Sequence, residues 1–60
     1  MVRIELDDSQ MEMLVGLIER QIDDLRAEIH DTDTMEFRNK LREERERWVR
    51  MLETIQKVAA

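Results

Sequence analysis

Sixty residues carry 15 acidic and 10 basic side chains, for a formal net charge of −5, with no cysteine, no proline and one glycine. A chain of this size is one small domain of residues 1–60 that buries little surface by itself. It has no disulfide to staple it, and thiolate metal sites and cysteine nucleophiles are excluded. The scarcity of turn-forming residues argues against a sandwich or barrel and for long uninterrupted helices.

Charge is unevenly placed. Residues 7–33 hold nine acids against two bases, whereas residues 34–60 hold five acids against seven bases. The two halves therefore attract along their length, and the sum of many weak surface contacts favours folding back over one continuous rod. An acidic chain is also a poor non-specific ligand for nucleic acid, so no nucleic-acid partner is expected. No apolar run approaches the ~20 residues of a membrane span. The N-terminus has no apolar leader segment, so a cytoplasmic location and no membrane association are expected.

In chain order, residues 1–6 alternate. Val2, Ile4 and Leu6 share one side and Arg3 and Glu5 the other, the period of a half-buried strand, an extended arm that pairs with its symmetry mate or lies along the helices. Leu6-Asp7-Asp8-Ser9-Gln10-Met11 then reads as a helix start. Asp7 is the cap, Gln10 reaches back as in a capping box, and Leu6 and Met11 are placed for a hydrophobic staple. The first helix is predicted over about 8–30. Its stripe of Met11, Val15, Ile18, Ile22, Leu25 and Ile29 has spacings of 4, 3, 4, 3 and 4, a heptad-type seam.

Asp31-Thr32-Asp33-Thr34 is the predicted turn, 31–34, since four polar turn formers interrupt a helical pattern. Asp33 followed by Glu36 repeats the capping-box spacing and marks Asp33 as the cap of a second helix over about 34–57. Its stripe is Phe37, Leu41, Trp48, Leu52 and Ile55, flanked by Val49, Met51 and Val58. Between Leu41 and Trp48 the inward position falls to Glu44 or Arg45. Glu36–Lys40, Glu43–Arg47 and Glu46–Arg50 are acid-before-base pairs at i, i+4. Folding at the turn pairs positions whose numbers sum to about 66, which sets Leu25 against Leu41 and Ile18 against Trp48.

The fold class expected is all-α: an antiparallel αα-hairpin with an extended N-terminal arm. Ile29, Asp33 and Phe37 are expected to lock the turn, with Arg26, Glu28 and Arg38 as an ion-pair cluster across it. Towards the open end both helices are apolar beyond a single stripe. Such helices want a second neighbour, and a two-fold dimer would make a four-helix bundle. Leu14, Leu17, Trp48 and Met51 are assigned to that dimer or partner interface, with Gly16 either permitting a close approach or lying on the surface.

Little else carries chemistry. His30 is the only histidine, and Ala27 stands where a bundle metal site would need a glutamate three residues before it. Asp31-Thr32-Asp33 resembles a calcium-loop start but has Glu36 at the required glycine position. Ser9, Thr32 and Thr34 have no histidine base nearby. No catalytic residues, no cofactor and no metal are assigned, and the chain is read as a non-enzyme.

From Leu25 to Leu41 the chain follows L-R-x-E-I-x-x-T-D-x-x-x-F-R-x-x-L, preceded by Ile4-Glu5-Leu6-Asp7-Asp8. In this it resembles small bacterial helical-hairpin proteins that have no assigned activity. The resemblance implies bacterial origin and the hairpin fold, and supplies no function. Two functions remain in view: a homodimeric structural or protein-interaction module with an unidentified protein partner, and a dimeric DNA-binding regulator of the ribbon-helix-helix type.

Overall fold

The computed structural model describes residues 2–59, and side chains as far as Lys57. Two helices follow one another, α1 over Asp8–Asp31 and α2 over Met35–Ala59, and pack against each other as an antiparallel hairpin. No helix among the described residues is long and apolar enough to cross a membrane. Residues 2–6 form no strand among themselves or with the helices. Val2 and Ile4 are 87% and 73% exposed, so the arm projects its apolar side into solvent rather than laying it on the hairpin.

The start of α1 follows its local sequence. The Asp7 carboxylate accepts the Gln10 backbone N–H at 2.7 Å, and the Gln10 side-chain carbonyl accepts the Asp7 N–H at 3.0 Å. This reciprocal box satisfies two amides that have no intrahelical partner. Asp8 adds negative charge beside the positive end of the helix dipole.

The seam of α1 is the predicted one. Ile18, Ile22, Leu25 and Ile29 are buried, and Met11 and Val15 are partly buried. On α2 the seam runs through Arg38, Leu41, Arg45, Trp48, Leu52 and Ile55, an unbroken alternation of three and four. Arg45, not Glu44, fills the inward polar position: Arg45 is half-buried and Glu44 exposed. The long aliphatic stem of an arginine lies along apolar neighbours while its head reaches water, which a glutamate does less well. The Val58 side chain lies outside the described residues.

Three expectations about the turn need correcting. Phe37 is 53% exposed and does not close the core. The seam begins one residue later, at Arg38, so helical rotation carries the Phe37 ring off it. Asp33 is not the cap of α2. The Thr34 carbonyl accepts the Arg38 N–H at 2.9 Å, so Thr34 holds the cap position and Asp33 lies exposed in the link. Arg38 joins no ion pair with Glu28 among the described residues; its Nη2 donates to the Thr32 carbonyl instead.

The turn is closed chiefly by Thr32. Its hydroxyl donates to the Glu28 carbonyl at 2.6 Å and its N–H to the Ile29 carbonyl at 3.4 Å. Both acceptors belong to the last turn of α1, whose carbonyls have no helical partner. The Thr32 carbonyl is in turn held by Arg38. One residue thus ends α1 and ties the link to α2.

Leu25 and Leu41 meet, as the predicted register requires. Leu25, Ile29 and Leu41 form one cluster, against which Trp48 packs, and Ile22 lines a groove with Val49 and Leu52. Of the three predicted i, i+4 ion pairs, Glu46–Arg50 is within 4.0 Å, at 3.7 Å, and both partners are exposed.

Candidate functional site

The hairpin is two layers' width in one direction and one helix thick in the other, so it has two broad sides. Which residues reach which side follows from about 100° of rotation per residue. In an antiparallel pair, residues turned in the same sense from the seam emerge on the same side. Arg26 and His30 of α1 share a groove with Arg38 and Arg42 of α2, and Ile29 forms its floor. Glu19, Asp23, Val49 and Leu52 line the continuation of that side, again with Arg26. Residues turned in the opposite sense are Leu14, Leu17, Gln21, Asp24 and Glu28 of α1 and Phe37, Lys40, Glu44, Arg47 and Met51 of α2. Glu44, Arg47, Trp48 and Met51 there line a shallow groove of their own.

All four residues assigned to an interface therefore belong to one side. Leu14 and Trp48 are half-buried at the edge of the seam. Leu17 is 63% and Met51 41% exposed. Trp48 packs inward on the Leu25–Ile29–Leu41 cluster and also lines the outer groove, so its indole links the core to the surface patch. Met13, on the outer edge of α1, and Phe37, at the turn end, are also largely exposed. An exposed apolar surface that is contiguous, rather than scattered, marks an interaction site.

Gly16 is not part of the patch. It is exposed, a Cβ built on it meets nothing within 4 Å, and its φ is not positive. Rotation places it on the outer edge of α1, away from Leu14 and Leu17. Of the residues assigned to the turn, Ile29 is buried in the core, whereas Asp33 and Phe37 are not. Thr32 and Arg38 are the residues that join the two helices there. A threonine hydroxyl bonding back to the carbonyl four residues earlier is a common local habit, and the three-four alternation from Arg38 onwards is the signal that locates its partner.

His30 Nδ1 lies 3.4 Å from an Asp31 carboxylate oxygen, both side chains being well exposed. Among the described residues no group of three or more histidine, aspartate or glutamate side chains is gathered as a metal would require. Comparison with known protein families, curated proteins and solved structures finds no match to this chain. What the surface can do is therefore read from its geometry.

Proposed function

We propose that this protein is a protein-interaction module that acts as a homodimer, two hairpins closing into a four-helix bundle over Leu14, Leu17, Trp48 and Met51. The observation that supports this reading is the groove that Trp48 and Met51 line, with Met51 and Leu17 exposed and helical rotation turning Leu14 and Leu17 to the same side. Five apolar residues are buried among the described residues, namely Ile18, Ile22, Leu25, Ile29 and Leu41. A core that small gains much from a second layer.

Charge favours a second copy as the occupant. On the same side, the edge of α1 carries Asp24 and Glu28 and the edge of α2 carries Lys40, Glu44 and Arg47, a net basic set. A two-fold axis parallel to the helices lays α1 of one copy on α2 of the other. It then brings each acidic edge against a basic one, and stacks Leu14 and Leu17 on the Trp48–Met51 groove. An isologous contact of this kind is self-complementary by construction. A bacterial, cytoplasmic setting and a further protein partner on the finished bundle belong to the same reading, which assigns the chain no catalytic step. The DNA-binding alternative needs a paired strand and a helix break near Gly16; α1 runs unbroken from Asp8 to Asp31.

Light scattering and sedimentation test the proposal. The native chain should have twice the chain mass of 7.3 kDa. Leu17→Glu, which puts a charge on the patch without touching the core, should give monomer. Asp24→Lys should weaken the dimer and Arg47→Glu on the same chain should restore it. A folded native monomer, or a dimer indifferent to Leu17→Glu, overturns the reading.

A further inference from the structure

The opposite side of the hairpin holds a second feature, independent of the dimer. We infer that the groove formed by Arg26, His30, Arg38 and Arg42 at the turn end is a binding site for a phosphate dianion, free or as a small monoester. Three guanidinium groups and an imidazole line one groove, and no carboxylate lines it with them. The chain has 15 acids for 10 bases, so an all-basic lining runs against its composition. Arg26–His30 and Arg38–Arg42 are also i, i+4 neighbours of like type, an arrangement that costs helix stability when nothing offsets it.

Arg38 supplies the second observation. Its Nη2 is engaged with the Thr32 carbonyl, which fixes the guanidinium in place, yet its Nε is buried and has no hydrogen-bond partner. A buried donor left without an acceptor is costly, and it sits among cations that equally lack one in the groove. An oxyanion bound in the groove would offset these like charges, met chiefly by the exposed Arg26 and Arg42. Planar guanidinium forks match phosphate geometry. A phosphate offers enough oxygens for several forks at once, where a carboxylate has two. Arg26 and Arg42 are exposed and free to close on the ligand, whereas Arg38 is held and half-buried. Asp31 lies beside His30, and Glu19 and Asp23 line the adjoining groove with Arg26; none of the three lines this one.

The test is a titration followed by backbone amide shifts, with inorganic phosphate in one arm and glycerol phosphate in another. Both are run against sodium chloride at matched ionic strength. Saturable shifts confined to the residues around Arg26, Ile29, His30, Arg38 and Arg42 are expected, in either arm or both. The arm with the tighter binding tells a free-ion site from a monoester site. Arg42→Gln, at an exposed position that leaves the core intact, should raise the apparent Kd at least tenfold. Arg20→Gln, on the far edge of α1, should leave it unchanged. Shifts that chloride reproduces, that spread over all arginines, or that survive Arg42→Gln overturn the assignment. Since the groove lies away from Leu17 and Met51, a Leu17→Glu monomer should still bind, so this test stands or falls apart from the dimer.

Discussion

Gly16 interrupts an otherwise strong helix former and has no neighbour that requires its small size. Its backbone is helical and its φ is not positive, so any L-residue fits. Alanine loses less conformational freedom on folding and is better by about 1 kcal/mol inside a helix. Gly16→Ala should therefore raise the midpoint of thermal unfolding without altering oligomeric mass. A fall in stability would mean that a close contact is made there in the assembled protein. Arg38 is the other residue whose surroundings set its behaviour. It occupies a seam position that composition would give to an apolar side chain, and it is kept there by the carbonyl of Thr32.

At the scale of the element, what matters is which side each helix turns inward. Ile29 is buried in the cluster with Leu25 and Leu41, whereas Phe37, one residue off the seam, stands half in water. Truncating the first removes packed atoms and leaves a cavity. Ile29→Ala should cost roughly 2–5 kcal/mol, the usual range for such a change, and Phe37→Ala well under about 1 kcal/mol, as for surface changes. Urea denaturation of the two variants side by side checks this, and equal losses would show that Phe37 does close the turn. The capping box at Asp7 and Gln10 and the Thr32 bonds perform the same task at opposite ends of α1. Each satisfies backbone groups that a helix terminus leaves open.

At the scale of the molecule, folding and association should be coupled. A hairpin with five buried apolar residues and an apolar side left open gains stability from whatever covers that side. If the cover is a second copy, the unfolding midpoint rises with protein concentration, as mass action requires. Calorimetry over a hundredfold concentration range measures this. A midpoint independent of concentration, in a species of monomer mass, would count against the bundle. The two sides differ in chemistry: one carries leucine, tryptophan and methionine, the other three arginines and a histidine around one groove.

Periodicity alone determined that the chain is two helices folded back on each other, where α1 starts, and which of its residues line the seam. Those features are local. A capping box and a six-position stripe need no information from the rest of the molecule, and the acidic and basic halves already attract. The exposure of Leu17 and Met51 was legible as an excess of apolar positions over one seam. Tertiary structure decided the rest. The polar gap in the second helix left Glu44 and Arg45 open, and its first aromatic, Phe37, suggested a phase one residue early. Only the helix packed against α1 fixes that rotation, since a shift of one residue turns each side chain by about 100°. The same rotation moved the turn lock to Thr32 and Arg38. It also gathered Arg26, His30, Arg38 and Arg42, from two helices and both sides of the turn, into one groove that no single stretch of sequence contains.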